Sequence, residues 1–137
     1  MSLLQRSSSL IYQIFCDGAS RSNPGDASIG VSISLDGKEI HTISRKIGIA
    51  TNNEAEYQAL IDGLNYCIEN SIKEIEVFLD SNLVVEQVNK NFKVKAGNLK
   101  VLNSQVENMI KEFEYIDDTQ IKQFAEKAKT KYPLDKK

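Results

Sequence analysis

A chain of 137 residues with 41% hydrophobic and 26% charged side chains has the size and balance of one compact globular domain and leaves little room for a second. Its formal net charge of −2 excludes a strong overall field drawing the whole protein to nucleic acid, so any such contact must come from a local patch. No run of residues approaches the length of an apolar membrane span, and the opening segment lacks the long apolar stretch of a signal peptide.

Residues 1–9, with Ser7, Ser8 and Ser9, read as a frayed leader. A domain over 10–132 and a short tail over 133–137 follow. Residues 12–17 predict a strand ending in Asp17-Gly18, and the next eight residues are dense in turn formers. From Ile29 to Leu35 apolar and polar residues alternate, which predicts a half-buried strand. Asp36-Gly37 is a hairpin signal, and residues 38–47 return as a third strand. Thr51-Asn52-Asn53-Glu54 has the pattern of a capping box, so a helix is expected to about Asn70.

Residues 75–80 predict a fourth strand, with Ile75, Val77 and Leu79 on one face. Ser81 can cap a helix over 82–91, and Asn98 a further one in which Leu99, Leu102, Val106, Met109 and Phe113 recur at helical spacing. A last strand is expected over 114–116. Ile121, Phe124, Ala125 and Ala128 then mark one face of a final helix that Pro133 helps to end. A meander of three strands followed by alternating helix and strand implies an α/β fold: a five-stranded mixed sheet with helices packed on it. Cys16 and Cys67 sit in apolar contexts with no CxxC pattern and read as reduced core residues, which fits the cytoplasm. His41, in the third strand, reads as a surface strand residue.

Three acids stand at element boundaries. Asp17 ends the first strand, Asp80 ends the fourth, and Glu56 lies near the start of the helix that precedes the fourth strand. In open α/β sheets, sites gather where strands end beside helix starts. Converging carboxylates repel one another unless a cation neutralises them, and oxygen-only ligands favour hard ions such as Mg²⁺ or Mn²⁺.

The stretches Phe15-Cys16-Asp17-Gly18-Ala19-Ser20, Asn23-Pro24-Gly25, Gly30, then residues 51–60, 80–88 and 94–100, resemble the motifs of type 1 ribonucleases H in order and spacing. The likeness runs from about residue 12 to about 116, and residues 94–100 also resemble the short bacterial and archaeal forms. It implies the ribonuclease H-like fold and a metal-dependent endonuclease that cuts the RNA strand of RNA–DNA hybrids with two metal ions. It assigns Asp17, Glu56 and Asp80 to catalysis and to three of four metal-binding positions.

The fourth position is open. The apolar pattern of the final helix sets Lys122 on it, and an ungapped alignment from Ile116 sets Glu126 there; Asp118 is near in either case. With Lys122 in that place, the chain would instead bind nucleic acid or a partner with cleavage weakened or lost. Asn23, Asn52, Asn53 and Gln87 match amide positions in the motifs and are candidates for reading 2′-hydroxyls. Lys93 and Lys95, in a basic stretch with Lys90, Lys100 and Phe92, are candidates for gripping the DNA strand's phosphates. The partner is thus an RNA–DNA hybrid, with no membrane and a monomer by default.

Overall fold

The computed structural model describes residues 11–123. It contains β1 (Tyr12–Ser20), β2 (Gly25–Leu35), β3 (Lys38–Ala50), α1 (Asn52–Glu69), β4 (Glu74–Leu79), α2 (Asn82–Val88), α3 (Gly97–Ile110) and β5 (Tyr115–Gln123). The strands form a five-stranded sheet in the order β3-β2-β1-β4-β5. β1, β2 and β3 pair antiparallel, while β4 lies parallel to both β1 and β5. The mixed sheet expected from the meander and the later alternation is therefore present.

Local chemistry explains the elements. Asp36 and Gly37 both have positive φ, 55° and 77°, which matches the type I′ turn that joins twisted antiparallel strands in two residues. The capping box of α1 is complete: Glu54 N–H donates to Thr51 Oγ1 at 3.1 Å, and Thr51 N–H donates to Glu54 Oε1 at 2.7 Å. Ser81 caps α2 by accepting from Val84 N–H at 3.2 Å.

Alternation then selects the core. Ile14 and Cys16 of β1 and Ile29, Val31 and Ile33 of β2 pack against Leu60, Leu64 and Cys67 of α1. Gly63 brings that helix close. A Cβ there would stand 3.0 Å from Ile14 Cγ2 and 3.3 Å from Cys16 Sγ. On the other face of the sheet, the cross-strand pair Phe15 and Phe78 stacks at 4.8 Å between ring centroids. Burial raises both thiols, Cys67 to about 12, so neither is a reactive nucleophile. His41 stacks on Tyr66 of α1, centroids 4.1 Å apart, as a strand residue packed on a helix.

Several boundaries move. β1 runs on to Ser20, β2 begins at Gly25, and β3 reaches Ala50. Pairing with a neighbour extends a strand through turn-forming residues that local propensity would leave as loop. α2 stops at Val88, three residues short of expectation. α3 is capped by Ala96 without a side-chain hydrogen bond, so Asn98 is not its cap.

The largest change is at the end. β5 is not a three-residue strand but extends through Gln123, with Ile121 beside Val77 and Lys122 beside Phe78 in the parallel ladder. The expected start of a final helix at Ile121 and Lys122 is thus corrected to strand. A short apolar spacing that suits a helix also suits a strand, and pairing with β4 decides between them. Phe124, Ala125, Ala128 and Pro133 lie outside the described residues, as do the proposed leader and tail.

Candidate active site

The first two acids are brought together by parallel pairing. β1 and β4 match Cys16 with Leu79, so Asp17 and Asp80 each follow the last matched pair, at the same end of neighbouring strands. The third acid arrives from the helix. A Cβ on Gly18 would stand 2.2 Å from Ala55 O and 2.8 Å from Glu56 N. No larger residue fits between the strand and the first turns of α1, so glycine at 18 lets the helix backbone rest on β1 and sets Glu56 beside Asp17.

Glu56 is buried, at 8% exposure, and its Oε1 has no hydrogen-bond partner. Burial, then the charges of Asp17 and Asp80, push its carboxyl up to about 8, against the opposing pull of the Gly18 backbone N–H. A buried carboxyl with one unpartnered oxygen, facing two further acids, is short of positive charge. The donor set is all oxygen, which suits a hard divalent cation rather than zinc. Among the described residues, however, no three such side chains already stand close enough to grip one ion. The acids share a field without being drawn into a coordination sphere.

The amide candidates fall into two groups. Asn23 and Asn52 interlock the β1–β2 turn with the start of α1: Asn52 N–H donates to Asn23 Oδ1 at 2.9 Å, and Ser20 N–H donates to Asn52 Oδ1 at 2.8 Å. Both side chains are exposed, and with each oxygen engaged the outward chemistry of both is that of an NH₂ donor. Asn53 is half-buried beside them. Gln87 is different. It is 5% exposed, and its Oε1 accepts from Tyr57 Oη at 2.8 Å, while Tyr57 Oη accepts from Asn103 Nδ2 at 3.1 Å. The structure thus places Gln87 in a buried network joining α1, α2 and α3, away from the exposed amides.

Sequence reasoning missed Tyr57 and Asn103. Asn103 held the clue, since it interrupts the apolar stripe of Leu99 and Val106, and a polar residue on a buried face needs a partner.

Lys93 and Lys95 are exposed in the segment between α2 and α3, with Phe92 46% exposed beside them. That segment is tied to the capping box of α1 at its far end, because Asn98 Nδ2 donates to Glu54 Oε2 at 2.7 Å. Of the fourth-ligand candidates, Asp118 and Lys122 both lie in β5. Lys122 therefore does not stand at the head of a helix, which removes the alignment that set it on the fourth position. Glu126 lies outside the described residues.

The sequence pattern of a family described as reverse transcriptase-like matches residues 15–124. The RNase H domain at the N-terminus of Rv2228c from Mycobacterium tuberculosis superposes with a TM-score of 0.80 at 34% identity, covering 87% of this chain and 90% of that domain. The chain belongs to the type 1 ribonuclease H family. RNase H1 of Halobacterium salinarum has the same fold, with a TM-score of 0.81 at 29% identity over 87% of this chain and 89% of that one. LC11-RNase H1, isolated from compost and solved in complex with an RNA/DNA hybrid, gives a TM-score of 0.70 at 34% identity over 77% of this chain and 83% of that one. Full-length Rv2228c, named a bifunctional protein, is 40% identical over 106 residues, which is 76% of this chain and 29% of that protein. This ribonuclease H-family chain thus spans less than a third of that curated relative's length.

Proposed function

We propose that the chain is a metal-dependent endonuclease that hydrolyses the RNA strand of RNA–DNA hybrids. The observation that carries this reading is the buried Glu56 carboxyl, with one oxygen unpartnered, held beside Asp17 and Asp80 where the parallel pairing of β1 and β4 stops. The fold match to RNase H1 proteins, one of them solved with a hybrid, supports it.

Asp17, Glu56 and Asp80 are the side chains that would hold Mg²⁺ or Mn²⁺. Ions bound there would supply Lewis-acid activation of a water and neutralise charge on the leaving 3′ oxygen. Glu56 gives up its proton on taking up the role of ligand, since its raised carboxyl is neutral until opposite charge arrives. Glu126 is the proposed fourth acid. The donor groups of Asn23 and Asn52, with Asn53, read 2′-hydroxyls in the wide minor groove of the hybrid. Lys93 and Lys95 contact phosphates of the DNA strand. Gln87 supports this surface from within rather than touching substrate.

The test is cleavage of an end-labelled hybrid in Mg²⁺ and in Mn²⁺, beside duplex DNA of the same sequence. Wild type should cut the RNA strand alone, and Asp17→Asn should lower the rate by at least about a hundredfold. A hybrid-binding domain without efficient cleavage is the second reading, favoured by the lack of a ready-made three-ligand cluster among the described residues. Hybrid bound tightly but left intact in both metals would establish it in place of the first.

A further inference from the structure

A groove of about 450 Å³ lies beyond the carboxylate site, lined by Arg21, Asp26, Ala27, Ser28, Lys46 and Gly48. The sheet register says where it is. Asp17, Gly30 and Ser44 are cross-strand partners, and two residues further along lie Ala19, Ser28 and Lys46. Cross-strand partners share a face, and so do residues two apart on one strand. Lys46 and Ser28 therefore stand on the same face as Asp17, with Lys46 two strands over and one row on. From strand spacing and rise, the two backbones are roughly 12 Å apart. Arg21 joins from the β1–β2 turn, where its N–H donates to Asp26 O at 2.8 Å. That turn also carries Asn23, which locks onto Asn52.

The charges in this groove are unspent. Among the described residues neither Arg21 nor Lys46 makes an ion pair; the pairs present are Arg45 with Asp62 and Lys90 with Glu107. Two free cations and a hydroxyl in one concave strip suit an anion with several oxygens. Gly48 has φ of +86° and nothing within 4 Å of where a Cβ would stand, so the floor of the strip is open. In a protein with a net charge of −2, such a local pair is the kind of feature that gives a preferred track to a polyanion.

We propose that Arg21, Lys46 and Ser28 form a second backbone-phosphate subsite for nucleic acid. It holds the strand that passes through the carboxylate site at a point roughly three nucleotides away, taking about 3.4 Å of axial rise per nucleotide. The subsite rests on the hybrid reading given above and extends it. Asp26 limits its strength, because a carboxylate on the same strip repels the phosphate it receives.

The experiment is hybrid binding by the full chain at several salt concentrations, with divalent metal chelated so that no turnover intervenes. Arg21→Ala and Lys46→Ala should each weaken binding on the order of threefold to tenfold, and each should reduce the salt dependence of log K by about 0.9. Asp26→Asn should tighten binding. Lys38→Ala, at the other end of β3, should leave it unchanged. A shortened hybrid that ends at the carboxylate site should bind wild type and the Arg21 and Lys46 variants equally. Thermal melts check that these exposed substitutions leave the fold intact. Wild type that binds and cuts hybrid while both cation variants keep its affinity and salt slope would overturn the groove alone. Wild type that neither binds nor cuts hybrid would overturn the hybrid reading and the groove with it.

Discussion

Glu56 keeps its proton in the folded chain across a range where an ordinary glutamate has lost it, because burial and two neighbouring acids disfavour the charged form. Its carboxyl moves from the usual 4.5 to about 8. Between those values the unfolded chain releases the proton and the folded chain retains it, so the unfolded state binds fewer protons. Stability must then fall as pH rises from about 4.5 to about 8 and level off above that window. Glu56→Gln removes the cost. It should raise stability at pH 8 by on the order of 4 kcal/mol and flatten the dependence, as read by urea denaturation across the range. Parallel curves for the two proteins would mean that the acid is not strained in the fold. Asp80 is legible in the sequence because it follows a strand and precedes a helix cap, and Asp17 because it precedes a glycine and a run of turn formers, although β1 itself continues to Ser20. The field that they impose on Glu56 is not legible there, since it depends on how closely α1 approaches β1.

Three helices meet at a single hydroxyl. Tyr57 of α1 is fully buried, donates to Gln87 of α2 and accepts from Asn103 of α3. Removing that oxygen leaves two buried amides short of a partner, and such orphans cost about 1–3 kcal/mol. Tyr57→Phe should lower the unfolding free energy by that amount with the apolar contacts kept. It should also weaken hybrid binding, because α2 and α3 carry the segment with Lys93 and Lys95 between them. A melt unchanged from wild type would show that the network adds nothing. The motif position of Gln87 predicts a substrate contact. The motif marked an amide that matters without telling which side of the helix it serves, and α2 turns it inward. Asn98 likewise looked like a cap, yet it reaches across to Glu54 and fastens the basic segment to the capping box of α1.

At the scale of the molecule, acids gathered at one end of the sheet are a source of instability that a bound cation would relieve. An ion that binds the folded state alone stabilises it by mass action, by about 2.7 kcal/mol at a hundred times its dissociation constant. Melting temperature should therefore rise with added Mg²⁺ or Mn²⁺, and Asp17→Asn should blunt the rise. Equal responses in both proteins would argue against cation binding at Asp17. The proposed substrate track crosses the same end of the molecule. It runs from the segment before α3, past the interlocked Asn23 and Asn52, to the groove of Arg21 and Lys46. Sequence separates these residues by up to some seventy positions, and the sheet order brings them to one end.

The sequence by itself determined the fold class, because alternation, the Asp36-Gly37 turn and the capping box each act over a few residues and report their own geometry. It also singled out the three acids, since their motifs are a local property, even though pairing with β2 carries β1 past Asp17 to Ser20. Only the tertiary structure decided the rest. Pairing with β4 carried β5 through Gln123 and took Lys122 out of the helix where apolar spacing had set it. Contact between Gly18 and the backbone of α1 decided that Glu56 would be buried and raised. Packing among α1, α2 and α3 turned Gln87 inward. In each case the deciding interaction joins residues far apart in the chain, and a local pattern carries no record of which distant neighbour will satisfy it.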